Sequence, residues 1–321
     1  MIKHNIYKIG ILMLNMLLLA FGGCKEDQGI FEPKLSAGIF FTPSKTGVVL
    51  EDVTVALSSK PVNLDFGVGL YREASSDITV DVGIDPDLVA DFNKRNATNY
   101  SLLPEGTVKL STEQITIKKG ARSIDPQQVI LNTAHLDENI TYLLPIRIKK
   151  VSGEEIQLNQ AMATRYFAIK GSLINIAKGK KTEQSTTNGS ATSDRAVDGN
   201  TNGAFSAGSV THTLEGLPEQ WWEVDLGVVS PRIKEINIYN RTDCCGIRLS
   251  NYYIFVSDVP FTGTSVASSL SQPGVSAFFQ DKQAASPSTI SIGKTGRYVR
   301  VQLAQGTLPL AIAEMEVLGV E

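Results

Sequence analysis

Short stretches in which apolar and polar residues alternate recur along most of the chain, and they constrain its fold more than any other feature. In residues 78–84 every second side chain from Ile78 onward is apolar, which is typical of a strand with one buried face. Further predicted strands cover residues 48–57, 62–71, 108–110, 115–117, 129–131, 142–148, 166–170, 233–239 and 252–256. The pattern predicts an all-β protein.

One helix is predicted between these strands. Leu88, Val89 and Phe92 have the spacing of an apolar stripe. Asp85 is suited to cap the helix, and Pro86 is suited to its first turn. Short strands, turn signals and one crossover helix together predict a β-sandwich of roughly immunoglobulin type for the first part of the chain.

With 321 residues, the chain is long enough for two domains, each with its own core. We predict a first domain over residues 35–171, a linker at Gly171-Ser172 and a second domain over residues 173–321. The 27 glycines and 13 prolines agree with a chain rich in turns. The net charge of −3 gives no basic excess, so we expect no nucleic-acid partner.

Residues 1–23 are predicted to be a targeting signal. A basic start at Lys3 and Lys8 leads into an apolar run over residues 11–21, which is shorter than the about 20 residues of a membrane span. Two glycines then precede Cys24. Cys24 is either incidental to an ordinary secretion signal or the residue that carries a lipid after cleavage.

The two glycines before Cys24 resemble the end of a bacterial lipobox. Lys25-Glu26-Asp27 resembles the acidic tag that directs Bacteroidetes lipoproteins to the outer face of the outer membrane, although a charged run is also typical of a solvated tether. We therefore expect residues 24–34 to be a tether. The resemblance implies a protein on the cell surface, attached to the outer membrane through its lipid anchor only.

Three cysteines are an odd number for an exported protein. If Cys24 carries lipid, the adjacent Cys244 and Cys245 remain, and an oxidising compartment favours a disulfide between them. A zinc site is the other use of such a pair, but only His135 and His212 are left in the mature chain as partners. We expect a vicinal disulfide that acts locally, since so small a ring contributes little loop entropy.

The predicted first domain resembles the N-terminal domain, of unassigned function, that is common to Bacteroidetes lipoproteins of glycan-utilisation loci. Residues 85–93, 100–104, 117–120 and 142–148 carry the resemblance. It implies that a glycan-binding or glycan-cleaving module follows. Four acidic residues near the predicted helix do not form a catalytic pattern, and solvated or capping roles explain them. They are Asp81, Asp85, Asp87 and Asp91.

The second domain resembles the discoidin, or coagulation-factor C-type, jelly roll and, within it, the F-type (fucolectin-like) lectins. Residues 175–180, 196–200, 221–226 and 297–301 carry the resemblance in order. Of the adjacent tryptophans in residues 221–226, we expect one in the core and one at the rim.

The most specific match is the segment Arg241–Arg248, in which Asp243, Cys244 and Cys245 lie between two arginines. The resemblance implies a fucose site. Guanidinium groups stay protonated and donate hydrogen bonds to sugar oxygens, and we expect Asp243 to orient one of them. The alternative is a turn held by a surface ion pair without function.

The same resemblance assigns His212 to an axial sugar hydroxyl, and it gives Phe205 and the two cysteines an apolar contact with the sugar. Three departures from the family pattern affect the packing against the sugar methyl group, on which a strict preference for fucose depends. Extra residues lie within 214–220, Ser206 replaces a second aromatic residue, and Val210 replaces a cysteine.

A structural cation, usually calcium, is also implied by the resemblance. Calcium prefers six to eight oxygen ligands. The candidates are the side chains of Asp198, Asn200, Ser209 and Glu314 and the main-chain oxygens of Arg195 and Ala313. The alternative is that residues 198–200 are merely a turn.

These features favour a non-catalytic surface lectin that captures fucosylated or related glycans, with a glycan-uptake transporter complex as a second expected partner. The alternative is a protein- or matrix-binding adhesion module of the same fold, with Leu214, Leu217 and residues 308–310 as apolar loop tips. We do not expect an enzyme such as a glycosidase, which needs a carboxylate pair about 5–10 Å apart in a cleft. Neither domain has the length or pattern for a catalytic barrel beside its sandwich.

Overall fold

The computed structural model describes residues 38–42, 50–153 and 155–321. The predicted signal (1–23), the tether (24–34), the lipidation site Cys24 and the start of the first domain at residue 35 lie outside the described residues. No helix in the described part of the chain is both long and apolar enough to cross a membrane.

The first half of the chain is a β-sandwich with one helix. Its elements are β1 (Gly38–Phe41), β2 (Leu50–Ala56), β3 (Val62–Phe66), β4 (Val68–Leu70), β5 (Ile78–Ile84), α1 (Leu88–Asn96), β6 (Val108–Leu110), β7 (Gln114–Ile117), β8 (Gln127–Leu131), β9 (Thr141–Ser152), β10 (Gln157–Leu158), a 3-10 turn (Gln160–Met162) and β11 (Thr164–Ser172). A five-stranded sheet, β2-β11-β9-β5-β7, packs against two three-stranded sheets, β10-β1-β4 and β3-β8-β6, around one apolar core. The predicted sandwich is confirmed.

The strand predicted over residues 62–71 is instead two strands in different sheets, β3 and β4. The break is at Gly67, whose carbonyl accepts a hydrogen bond from the Thr42 backbone N–H (2.9 Å). A Cβ atom at Gly67 would lie 2.5 Å from Thr42 Oγ1. Glycine leaves room for the Thr42 side chain at this approach of the two chain segments. The apolar alternation of the sequence gives no sign that the strand changes sheet here.

Helix α1 confirms the predicted apolar stripe but not its cap. Val89 is buried, and Leu88 and Phe92 pack beside it on the outer face of the five-stranded sheet. The N-cap residue is Asp87, which makes no side-chain capping bond. Asp85 instead accepts a hydrogen bond from Arg147 Nη1 (3.3 Å). Arg147 lies on β9, far away in sequence. Asp85 forms an ion pair with Arg147 and does not cap the helix, contrary to the prediction from its position in the sequence.

The second half is a jelly roll. Its elements are β12 (Ile174–Asn175), β13 (Lys181–Gln184), 3-10 turns at Ser193–Val197 and Phe205–Ala207, β14 (Thr211–His212), β15 (Trp221–Asn240), a 3-10 turn at Gly246–Arg248, β16 (Tyr252–Ser257), α2 (Val266–Ser271), β17 (Ser276–Gln280), β18 (Ser288–Leu303) and β19 (Ala311–Gly319). The sheet order is β12-β19-β15-β18-β16-β17, with β13 on β15 and β14 on β19, and all pairs are antiparallel. Register shifts between Asp225 and Glu235 bend β15.

The two adjacent tryptophans of β15 have the environments that the sequence predicted. Trp222 is fully buried, and its Nε1 donates to the Ser193 carbonyl (2.8 Å). Trp221 is partly exposed, and the Arg300 guanidinium lies 4.7 Å from its ring centre. Alternation along β15 explains the difference, because neighbouring side chains point to opposite faces of the sheet.

The junction of the two sandwiches is tightly bonded. Gly171 and Ser172, predicted as a linker, are the last two residues of β11 and pair with Val55 and Ala56. Val320, from the last residues of the chain, is fully buried in the core of the first sandwich. The two sandwiches form one compact unit.

Candidate functional site

The loop that follows β15 is anchored by a buried asparagine at the end of that strand. Asn240 is 3% exposed. Its Nδ2 donates to the carbonyls of Gly246 (2.9 Å) and Ala284 (2.8 Å), and its Oδ1 accepts from the Arg241 backbone N–H (2.8 Å). These three bonds fix the path of residues 241–248, which is where the two arginines of the sequence signature lie.

Arg241 is held on two sides. Its Nε donates to Asp243 Oδ1 (2.6 Å), and its Nη2 lies 3.4 Å from Asp243 Oδ2. Its guanidinium carbon lies 4.7 Å from the centre of the Phe205 ring, within the range of a cation–π contact. The Phe205 backbone N–H also donates to Asp243 Oδ2 (3.2 Å). The hydrogen bond from Arg241 lowers the pKa of Asp243 below its usual range, so the carboxylate stays charged.

His212 lies on β14 and is 3% exposed. Its Nδ1 is 2.6 Å from the Thr213 carbonyl oxygen, and because a carbonyl only accepts, Nδ1 carries the proton. Burial lowers the pKa of His212, and the charges of Arg241 and Arg248 lower it further, against the opposing effects of the Thr213 carbonyl and Glu215. The ring is therefore neutral near pH 7, and Nε2 is a hydrogen-bond acceptor. Its centre lies 5.7 Å from that of Phe205.

Arg248 faces a residue that the sequence did not single out. Its Nη2 lies 3.0 Å from Glu215 Oε1, and the side chains of Arg248 and Glu215 are 27% and 64% exposed. Glu215 belongs to the stretch 214–220 that is longer than the family pattern. This extra length was the only signal in the sequence that pointed to it.

Cys244 and Cys245 form a disulfide, and both residues are exposed. Cys245 has a φ of 59°, in the left-handed region that a tight turn requires. Ile247, two residues on, is 63% exposed. The loop therefore presents sulfur and aliphatic carbon to solvent beside the arginines.

One of the residues proposed for a cation carries a buried carboxyl group on β19, near Asp198. Glu314 is fully buried. Its Oε1 accepts from the Gly199 N–H (3.1 Å), and its Oε2 has no hydrogen-bond partner among the residues that the structure describes. Burial raises the pKa of Glu314 to about 7, and nearby Asp198 contributes to the rise. A buried oxygen without a partner carries a free-energy cost that a bound cation would remove.

The other proposed ligands are oxygen-rich loop residues. Asp198 Oδ1 accepts from the Asn200 N–H (2.7 Å), and Ser209 donates to the Asn202 carbonyl. A register shift leaves Ala313 without a partner on β15, so its main-chain groups are not part of the regular ladder. The Arg195 guanidinium donates to the Val210 carbonyl (3.2 Å).

Within residues 38–42, 50–153 and 155–321, no three His, Cys, Asp or Glu side chains form a group that could hold a metal. A cation at the proposed site would therefore need amide, hydroxyl and main-chain oxygens in addition to the two carboxylates of Asp198 and Glu314, and such oxygen ligands suit a hard cation such as calcium.

Comparison with known proteins gives the origin of this arrangement. Residues 195–301 match the family model described as NedA-like, galactose-binding domain, and residues 33–155 match a model described as an N-terminal domain. Fucolectin-5 of Anguilla japonica is 33% identical over 132 residues, which are 38% of this chain and 61% of that protein. The second half of the chain is a discoidin-type galactose-binding domain related to the fucolectins.

Two further relatives match the discoidin-type domain. Fucolectin-1 of Anguilla japonica is 43% identical over 63 residues, which are 20% of this chain and 34% of that protein. A fucose binding module of Streptococcus pneumoniae, SpX-3, is 37% identical, with 44% of this chain and 96% of the module covered and a TM-score of 0.38. The match spans less than two thirds of the length of these fucolectins.

The structure of the discoidin-type domain brings together most of the site residues that the sequence proposed. Phe205 contacts His212, Arg241 and Asp243, and Arg241 is paired with Asp243. Arg248 lies on the loop that Asn240 anchors. Sequence reasoning missed Asn240 and Glu215. An asparagine at the end of a strand carries no sign of burial, and an exposed glutamate in a loop carries no sign of its partner.

The departures from the family pattern also have a structural account. Val210 is fully buried and packs with Ala311 and Ala313, beside Phe205 and Tyr239. An apolar residue therefore fills this position without a cysteine. The C-cap of the 3-10 turn that contains Phe205 and Ser206 is Gly208, with a φ of 78°.

Proposed function

We propose that this protein is a non-catalytic glycan-binding protein whose discoidin-type domain recognises fucose or a related terminal sugar through Arg241, Arg248 and His212. The observation that carries the proposal is the fixed position of Arg241 between Asp243 and Phe205, beside the neutral acceptor of His212. Asp243 occupies two of the five guanidinium donors, and the others are left for sugar oxygens.

The Arg241–Asp243 pair differs from a surface ion pair without function. The Arg241 side chain is only 15% exposed, whereas pairs that contribute nothing are solvated on both partners. Arginine donors, one imidazole acceptor and a small apolar surface match a deoxy sugar, which has hydroxyl groups on one side and a methyl group on another. The relatives that carry the names fucolectin and fucose binding module support this sugar class.

The proposed role is glycan capture at the cell surface. Each hydrogen bond to a sugar contributes only about 0.5–1.5 kcal/mol, because water competes for the same groups. Many copies held by lipid anchors on the outer membrane would compensate through avidity. In this proposal the captured glycan passes to a neighbouring transporter complex, and the domain that precedes the lectin positions it.

Calcium is the proposed structural cofactor. Asp198, Asn200, Ser209, Glu314 and the main-chain oxygens of Arg195 and Ala313 would hold it. Calcium would supply the positive charge that the buried carboxyl of Glu314 lacks. These residues flank the turn that carries Phe205, so the ion would stabilise the position of that ring against Arg241.

A glycan-array screen of the purified full-length protein tests the proposed function. Wild-type protein is expected to bind fucosylated glycans, and Arg241→Ala and Arg248→Ala are expected to lose that binding. Arg122→Ala is the matched control, since Arg122 is an exposed arginine in an ion pair of the first sandwich. Glycan binding that persists in both site variants would contradict the proposed site.

A second candidate function is adhesion to a protein or matrix surface. Leu214, Leu217 and Leu308 are 43%, 42% and 48% exposed, and a hydrogen bond from the Gly216 N–H to the Thr307 carbonyl (3.0 Å) joins their loops. Leu310, also proposed from the sequence as a loop tip, is buried and is not available. Solid-phase binding to matrix proteins that Leu214→Ser and Leu217→Ser abolish, with no glycan binding by the wild type, would favour this candidate.

A further inference from the structure

The residues proposed to bind the sugar offer few hydrogen-bond acceptors. Every sugar hydroxyl brings a proton that needs an acceptor, and arginine only donates. Asp243 already accepts three hydrogen bonds, at Oδ1 from Arg241 Nε (2.6 Å) and at Oδ2 from the Phe205 N–H (3.2 Å) and Arg241 Nη2 (3.4 Å), which leaves about one of the four acceptor positions of a carboxylate. In His212, Nδ1 is committed to the Thr213 carbonyl (2.6 Å). The main free acceptor among the proposed sugar residues is therefore His212 Nε2.

Glu215 supplies a second acceptor on the same side of the site. Its Oε1 pairs with Arg248 Nη2 at 3.0 Å, and its side chain is 64% exposed. An ionised carboxylate offers about four acceptor positions, so one ion pair leaves most of them open. Its charge acts on His212 together with those of Arg241 and Arg248, so Glu215 lies within electrostatic range of His212.

The backbone on both sides of Glu215 is anchored. The Leu214 N–H donates to Thr186 Oγ1 (2.9 Å), and the Gly216 N–H donates to the Thr307 carbonyl (3.0 Å). Because both neighbours are bonded to other loops, the Cα atom of Glu215 has a fixed position. The carboxylate is thus presented at the site by a held segment and not by a free loop.

We infer that Glu215 is a further sugar-binding residue, which accepts a hydrogen bond from one hydroxyl while His212 accepts from its neighbour, so that the site selects sugars with two adjacent free hydroxyls. This inference rests on the proposed sugar site. A hydroxyl between Glu215 and Arg248 donates to the carboxylate and accepts from the guanidinium. Such paired bonds strengthen one another.

The test measures the affinity of full-length protein for methyl α-L-fucoside and for its 2-, 3- and 4-deoxy analogues by calorimetry. Wild-type protein is expected to bind the fucoside and to bind two of the analogues more weakly. Glu215→Ala is expected to lower affinity for the fucoside about tenfold and to stop distinguishing it from one of these two analogues. Glu73→Ala is the matched control, because Glu73 is 64% exposed and paired with Arg122 in the first sandwich.

The outcomes separate the two proposals. An unchanged affinity of Glu215→Ala for all four sugars would mean a simple surface ion pair and would overturn the inference while leaving the sugar site intact. A higher affinity of Glu215→Ala would also overturn it, since Glu215 would then compete with the sugar for Arg248. Wild-type protein that binds no fucoside and no array glycan would overturn the proposed function itself.

Discussion

The guanidinium carbon of Arg241 lies 4.7 Å from the centre of the Phe205 ring, and the backbone of Phe205 is bonded to the same carboxylate that holds Arg241. Ring, carboxylate and guanidinium therefore form a closed triangle. A donor held in this way loses little conformational entropy when a ligand binds. The rigid position of Arg241 makes its donors useful to a weak ligand such as a monosaccharide.

Replacement of Asp243 by alanine should reduce sugar affinity without removing a direct sugar contact. Arg241 keeps its charge but loses the partner that fixes its Nε and Nη2. We expect affinity for methyl α-L-fucoside to fall about tenfold, as for a lost charge-assisted bond, with calorimetry as the measurement. Asp77→Ala, which removes an exposed carboxylate from the first sandwich, should have no effect. Equal affinities of Asp243→Ala and wild type would argue against an orienting role.

Sugar binding should weaken in acid because of His212. Burial, Arg241 and Arg248 hold the pKa of this imidazole below its usual 6.5. Between pH 6.5 and 8 the folded protein keeps Nε2 as an acceptor, and affinity should stay constant. As the pH falls through the lowered pKa, Nε2 becomes protonated and affinity should drop. A His212→Gln variant should lack this component of the pH profile, and identical acid profiles of variant and wild type would count against it.

The same pKa shift should also affect stability. Below pH 6.5 an exposed histidine of the unfolded chain takes up a proton before His212 of the folded chain does. The free energy of unfolding contributed by the neutral ring is therefore present above pH 6.5 and lost as the pH falls through the folded-state pKa. Urea unfolding at pH 7.5 and pH 5 measures the free energy of unfolding of wild type and His212→Gln. The amount by which wild type is more stable than the variant should be smaller at pH 5.

Calcium should raise the melting temperature if the proposed cation site is correct. A ligand at one hundred times its dissociation constant adds about 2.7 kcal/mol to the free energy of unfolding. Differential scanning calorimetry with calcium and with a chelator measures this effect. Asp198→Ala and Glu314→Gln should each abolish it, and Asp77→Ala should retain it. A melting temperature that is the same with calcium and with chelator would refute the site.

Arg300 should matter far more for stability than its neighbour on β18, Arg297. Arg300 is 3% exposed, donates to Glu223 Oε2 from Nε (2.9 Å) and Nη2 (2.7 Å), and contacts Trp221 and Phe261. Arg300→Met would leave the partly buried Glu223 carboxylate unpaired, at a cost of up to about 3–5 kcal/mol. Arg297→Met breaks the more exposed pair with Asp225 and should cost much less in urea unfolding. Similar losses would contradict this ranking.

Local patterns predicted those parts of the fold that depend on local chemistry. The alternation of residues 78–84 gave β5 at its observed bounds, since a strand with one buried face needs only its own side-chain period. The break at Gly67 was not predicted, because it arises from an approach to Thr42 that no local pattern contains. For the same reason the hydrogen bond from Arg147, on a distant strand, to Asp85 was not predicted, and Asp85 does not cap the helix.

The candidate site follows the same division. Arg241, Asp243 and Arg248 could be placed together because eight consecutive residues hold them. The ion pair between Arg248 and Glu215 joins two loops far apart in sequence, and only their packing reveals it. The hydrogen bonds by which Asn240 anchors the loop, to the carbonyls of Gly246 and Ala284, likewise depend on the tertiary structure. Lipidation of Cys24 and surface location remain predictions from the sequence.

Val320 gives the molecule an order of assembly. A ribosome synthesises the chain from its N terminus, yet the core of the first sandwich contains Val320, which follows β19 in the sequence. In addition, the Ser59 N–H donates to the Glu321 carbonyl (2.6 Å). During translation the core of the first sandwich therefore lacks one of its side chains until the discoidin-type domain has been made. The two halves are therefore coupled, since the packing of the first sandwich is completed by a residue that follows the second.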